Sequence, residues 1–226
     1  PYTIVERIRI REASNDSLRS LERSNLMVSA DLSYRISRGL TLYGELLVDD
    51  YATESADMPN RIGYQLGFRS ERPFRSNRSS GARYIRLLGE YTRVRNYTYS
   101  VEYAQDFIYR DRPLGYVLGP DVENVTLEAV HDISRDWQIR SSGDFTNHGE
   151  GRLGVPWFRS QGAVSTVGLS GIVEERREVW SDVRWLPRDN VDLSVGVGFR
   201  RIHSEGNILG RDRSAWLGRI AADLRY

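Results

Sequence analysis

The chain has no cysteine, no lysine and only three histidines in 226 residues. Without cysteine there is no disulfide framework, no thiolate metal site and no cysteine nucleophile. No apolar run approaches the roughly 18–20 residues that a membrane helix needs. That excludes helical spans only. A transmembrane strand takes about 9–11 residues, of which every second one faces lipid, so a barrel sequence is hydrophilic on average. All 32 basic residues are arginine, and 31 acids leave a net charge of +1. A GC-rich genome is the plain explanation; the functional one is that arginine forks pair with carboxylates and phosphates better than lysine does. So balanced a chain has no net field that points to nucleic acid.

What is present is alternation. In the last segment Trp216, Gly218, Ile220, Ala222, Leu224 and Tyr226 are apolar or small, and Leu217, Arg219, Ala221, Asp223 and Arg225 lie between them. A strand sends successive side chains to opposite faces, so one face of this segment suits hydrocarbon and the other a polar lumen. A final strand with an aromatic at its apolar end is also the signal read by the barrel-assembly machinery. The same alternation recurs at 26–36, 40–48, 61–70, 83–94, 125–133, 137–145 and 191–199, and less cleanly at 3–11 and 173–186. About ten strands are expected.

Tight turns are expected at Ser37-Arg38-Gly39, Arg135-Asp136 and Pro187-Arg188-Asp189-Asn190, with longer polar loops near 12–24, 52–60, 95–121, 148–171 and 204–211. Outer-membrane barrels alternate short periplasmic turns with long extracellular loops. With Tyr226 periplasmic, all three turns fall on that side and all five loops outside; the junction at 71–81 should be short and is not. Tyr34, Trp137, Trp185 and Tyr226 then mark the periplasmic rim, and Tyr64, Tyr91, Phe145 and Trp216 the outer one, where interfaces favour aromatics. The predicted fold is an all-β antiparallel transmembrane barrel in the bacterial outer membrane, as one barrel domain or the C-terminal portion of one.

The inward face carries both signs of charge: Asp31, Arg35, Glu45, Asp49, Arg69, Arg86, Glu90, Glu128, Asp132, Arg140, Asp144, Asp182, Arg184, Asp192, Arg200, Arg219, Asp223 and Arg225. A single-sign ring would suit a selective pore. Mixed signs on long side chains favour a lumen filled by paired arginines and carboxylates.

The segment Tyr109-Arg110-Asp111-Arg112-Pro113-Leu114-Gly115, followed by Leu118-Gly119-Pro120-Asp121 and a strand, resembles a loop of the Wzi family of capsule-assembly outer-membrane proteins. Leu42 to Asp50, with acidic residues at its outer end, resembles a strand of the same family. The resemblance implies an eighteen-stranded barrel with a plugged lumen, a periplasmic helical bundle and a role in retaining capsular polysaccharide. About ten strands and no helical bundle make the chain the C-terminal portion of such a barrel, or a smaller relative whose function need not follow. In the 95–121 loop Tyr103, Phe107, Tyr109 and Tyr116 can stack on sugar rings, and Arg110 and Arg112 can hold sugar carboxylates. The plainer alternative is that the loop folds inward and packs the lumen.

Catalytic chemistry is sparse. His148, with Asp144 and Glu150 nearby in sequence, offers an Asp–His pair for general-base hydrolysis at the outer rim, but no second pair or nucleophile motif joins it. His203 is also at that rim, and His131 falls on the lipid face. Gly119-Pro120-Asp121-Val122-Glu123-Asn124 lacks the spacing of a calcium loop and reads as a turn. No cofactor or metal is expected. The expected partners are outer-membrane lipid and lipopolysaccharide, surface polysaccharide, the assembly machinery and other envelope proteins. The expected function is a non-enzymatic barrel with an occluded lumen that binds or retains surface polysaccharide or supports a surface assembly; the rivals are a passive or selective porin, a rim hydrolase, and a soluble β-sandwich.

Overall fold

A computed structural model describes residues 27–50, 59–74, 83–100, 108–109, 112–113, 115–162, 164–188 and 191–224. Its strands are β1 (Val28–Ser37), β2 (Leu40–Asp50), β3 (Arg61–Phe74), β4 (Arg83–Val94), β5 (Ile108–Tyr109), β6 (Arg112–Pro113), β7 (Val122–Asp132), β8 (Trp137–His148), β9 (Glu174–Arg188), β10 (Val191–His203) and β11 (Arg213–Leu224). Nine of them form one antiparallel sheet in the order β1-β2-β3-β4-β7-β8-β9-β10-β11, and β5 and β6 make a small hairpin between β4 and β7. The sheet is not closed on itself: β1 and β11 each have one neighbour. It fits part of a barrel wall. Among the described residues there is no α-helix, and so none long and apolar enough to cross a membrane.

The register follows the alternation. One row across the sheet runs Leu42, Phe68, Gly89, Leu127, Gly143, Val179, Phe199, Trp216, each residue paired with the next. The adjacent row runs Tyr43, Gly67, Glu90, Thr126, Asp144, Glu178, Arg200, Ala215. A slip of one residue in any strand would exchange these rows there, moving charge onto the apolar face. The apolar face is bare: Leu32, Trp216 and Ile220 are 72%, 76% and 85% exposed. In water so continuous an apolar surface is unfavourable; against hydrocarbon it is the expected outer wall.

Glycines and aromatics interlock across the strands. The rings of Tyr43, Phe68, Phe145 and Trp180 lie over Gly67, Gly89, Gly143 and Gly198, leaving no room there for a Cβ. The ring covers the gap that the missing side chain leaves, an arrangement that also pins register. Gly198→Val should push the Trp180 indole off its seat and cost about 1–3 kcal/mol of unfolding free energy, as overpacking does. A urea titration of the refolded barrel checks this; an unchanged midpoint would contradict the packing described.

Turns and loops segregate to opposite ends. Gly39 N–H bonds Ser37 O (2.8 Å) in the β1–β2 turn, and Leu186 N–H bonds Asp136 O (2.7 Å) where two turns adjoin. Residues 95–121, 149–173 and 204–212 connect strands at the other end. At the turn end Trp137 and Trp185 stack at 5.9 Å; toward the loop end Tyr64 meets Tyr91 at 6.0 Å and Phe199 meets Trp216 at 5.1 Å. The long 71–81 junction has a structural reason, because β3 and β4 stay paired to Phe74 and Arg83, beyond the last β4–β7 pair at Ile85 and His131. The weak alternation at 173–186 belongs to β9. Its first turn-length carries charge on both faces, with Glu174 and Arg176 on one and Glu175 and Arg177 on the other. The expected strand at 3–11 and loop at 12–24 lie outside the described residues.

Candidate functional site

On the polar face the charges predicted to pair do so in part. Arg86 bonds Asp132 (3.0 Å), Arg200 bonds Glu178 (2.6 Å), and Arg140 bonds Glu128. Arg184 bonds Asp192, which Asp223 faces across the β10–β11 ladder. Asp182, 4% exposed, accepts from Arg219 and from Trp180 Nε1 (2.9 Å), and the Arg219 guanidinium lies 5.4 Å from the Trp180 ring. Glu90 accepts from the Tyr43 hydroxyl (2.8 Å). Asp144 accepts from Asn124, Thr126 and Thr146. Most of these side chains keep contact with solvent, so each surface pair contributes little alone. Asp31 and Glu45 face each other directly in the β1–β2 ladder, and Arg35 lies on the same face. None of the three takes part in an ion pair among the described residues.

Asp49 shares this face but is fully buried, and its Oδ2 accepts the Tyr99 N–H at 2.8 Å. It ties the start of the 95–121 loop down onto β2. Arg61 assists by donating to Ser100 O at 2.9 Å. The buried apolar cluster is here too, at the loop end and not at mid-sheet: Val94, Tyr99 and Val122, with Met27, Leu47, Tyr116, Leu118 and Leu153 packed against them. Burial pushes the Tyr99 and Tyr116 phenols above their ordinary pKa, so both remain hydrogen-bond donors. In its described parts the 95–121 loop therefore packs onto the polar face.

The second tether is Asp121, fully buried and in the left-handed region at φ 59°. Its carboxylate accepts from Gly151 N–H (3.0 Å), Ser170 N–H (3.2 Å) and the Ser170 hydroxyl, and its carbonyl accepts from Gly149 N–H (2.8 Å). The Gly119-Pro120-Asp121 turn thereby holds both ends of the 149–172 loop. Arg93, 2% exposed, reaches Gly168 O at 2.8 Å, and Thr166 donates to Asn60 O at 3.1 Å. Asn207 in the third loop donates to His148 O (3.0 Å) and Ile172 O (2.6 Å) and accepts from Arg152. At the edge of that loop His203 bonds Asp212 at 2.6 Å, which holds the Asp212 carboxyl below its ordinary pKa. The described loops thus form one interlocked cap.

The Asp–His pair on which the rival hydrolase reading depends does not assemble. The Asp144 carboxylate is occupied by Asn124, Thr126 and Thr146, and Glu150 accepts Ile172 N–H. The His148 ring instead lies against Pro120 O (3.2 Å) and Arg152 (3.4 Å). Among the described residues no group of acids and histidines is placed to hold a metal ion.

Of the residues expected to contact glycan, Tyr116 packs within the cap. Tyr109 and Arg112 are paired in register across the β5–β6 hairpin. Tyr103, Phe107 and Arg110 lie outside the described residues, as do Arg225 and Tyr226. Trp216, Gly218, Ile220 and Ala222 occupy the apolar face of β11, with Leu224 as its last residue. The tethers Asp49, Asp121, Arg93 and Asn207 were not foreseen as such. A signal existed for Asp121 alone, as the acid closing the Gly-Pro-Asp turn.

An antiparallel meander with one bare apolar face, one charged face, short turns at one end and interlocked loops at the other is the wall of an outer-membrane-type β-barrel. Its sequence carries the identification further. The family described as "Capsule assembly protein Wzi" matches residues 4–214. The chain belongs to this family. No curated protein and no solved structure matches it.

Proposed function

We propose that this protein binds and retains surface polysaccharide at the outer face of the outer membrane, through a mouth closed by its own loops, as neither an enzyme nor a pore. The loop cap carries the reading: Asp49, Asp121, Arg93 and Asn207 join three connections into one surface at the end away from the short turns. Membership of a capsule-assembly family supports the polysaccharide ligand. Mixed, paired charge on the polar face supports an occluded lumen, since a conducting pore would favour an open path with a single-sign field.

In this reading Tyr103, Phe107, Tyr109 and Tyr116 offer rings to sugar faces, while Arg110 and Arg112 hold acidic groups in bidentate pairs. Lipid and lipopolysaccharide cover the apolar face, and Trp216 to Tyr226 supplies the signal for the assembly machinery. Full-length protein in detergent should bind the surface polysaccharide of its own strain saturably. Tyr109→Ala with Arg112→Ala should weaken that binding roughly tenfold, about 1.4 kcal/mol. No saturable binding by the folded protein would sink the proposal. In planar bilayers the same preparation should show none of the large, stable openings of a porin.

A further inference from the structure

Beneath the cap a cavity of about 280 Å³ opens on the polar face. Its polar and aromatic lining includes Glu45, Gln65, Tyr64, Thr92, Tyr99 and Tyr116. Small-molecule sites begin near ~300 Å³, so this one suits a single ring and not a length of chain. Its aromatic side is fixed in place. The Tyr99 hydroxyl accepts the Tyr116 N–H at 3.0 Å, and Gly115 lies so close to the Tyr99 ring that no Cβ would fit.

Its polar side is incompletely satisfied. Thr92 is 3% exposed, and its hydroxyl lies beside the Tyr116 phenol without a hydrogen bond of good geometry. A buried hydroxyl so weakly bonded is unfavourable, and a ligand hydroxyl in the cavity would complete its bonding. Among the described residues, the charges that line the cavity or act on its phenols are acidic. Glu45 lines it, Asp31 stands directly across from Glu45, and the Glu90 and Asp144 carboxylates act on the Tyr116 phenol. A carboxylate brought into this space would lose water and meet these acids, which opposes its binding. A hydroxyl or ammonium group would find acceptors.

We propose that this cavity is a subsite for one uncharged or amino-bearing pyranose ring and rejects uronate rings. The proposal rests on the reading that the protein binds polysaccharide, and it divides that task. On that reading Arg110 and Arg112 hold acidic groups, while the cavity takes a ring without one.

The test is saturation-transfer NMR on full-length protein in detergent, with glucose, glucosamine and glucuronate as probes and the strain's polysaccharide titrated in parallel. Glucose and glucosamine should bind and glucuronate should not. Thr92→Val, nearly isosteric, should weaken glucose binding at least fivefold. Glu45→Gln should weaken glucosamine while admitting glucuronate. Heat-modifiable gel mobility reports whether each variant is folded. Glucuronate binding as well as glucose to the wild type would overturn the proposal, and so would indifference of all three probes to both variants. If the polysaccharide binds but no cavity variant changes it, the subsite fails and the wider reading stands. If the polysaccharide does not bind at all, the wider reading fails and takes the subsite with it.

Discussion

Asp121→Ala should free the 149–172 loop while leaving the sheet folded. The carboxylate it removes is fully buried and accepts from Gly151, from the Ser170 backbone and from the Ser170 hydroxyl. Each buried donor left without a partner costs about 1–3 kcal/mol. Alanine is also strained at φ 59°, where asparagine is tolerated. The cost falls on the loop, because the strands beneath are held by their own ladders. Limited proteolysis should therefore cut Asp121→Ala within 149–172 at least tenfold faster than wild type, with heat-modifiable mobility intact. Asp121→Asn keeps the backbone geometry and one acceptor oxygen, so it should fall between the two. Equal cleavage rates for all three would show that Asp121 is not the tether described.

Asp182→Ala should weaken the sheet itself. Asp182 is 4% exposed and accepts from both Arg219 on β11 and Trp180 on its own strand, with Arg140 directly across on β8. Its loss removes an acceptor shared by β9 and β11, the strands on either side of β10. Arg219 is about half exposed and can turn to water, so the full penalty of an orphaned buried charge does not apply. The indole N–H has less freedom, because its ring is seated over Gly198. A loss of about 1–3 kcal/mol follows, read as an earlier urea unfolding midpoint. Asp182→Asn keeps an acceptor for the indole and should recover part of it. Arg140→Ala, whose partner Glu128 is more exposed, should cost less than half as much.

The wall of this molecule was legible in its sequence because a single physical rule wrote it. Residues facing hydrocarbon must be apolar and their neighbours need not be, so the period of two at Val191–Phe199 and Trp216–Leu224 survives directly in the sheet's rows. The rule ends where the membrane ends. β9 lost its alternation at Glu174–Arg177, where both faces meet water or loops. The resemblance at Tyr109–Asp121 led to the family but did not disclose what Asp121 does. That role depends on Gly151 and Ser170, distant in sequence and unremarkable in type. Asp49 shows the same limit. Alternation put it on the polar face among the lumen charges, while the Tyr99 N–H that buries it comes from a turn fifty residues away. The Asp144–His148 pair was suggested by proximity along the chain, and cross-strand partners on β7 claimed Asp144 first.

We propose that this family member keeps polysaccharide on the cell surface through its capped outer end. The most direct test is the ratio of cell-bound to shed polysaccharide in the source strain after deletion of the gene. Deletion should shift polysaccharide into the medium without reducing the total made. Wild-type protein should restore the cell-bound fraction, and the Tyr109→Ala, Arg112→Ala, Tyr116→Ala variant should not, though present in the outer membrane at equal level. A deletion strain that retains its polysaccharide as the parent does would contradict the account.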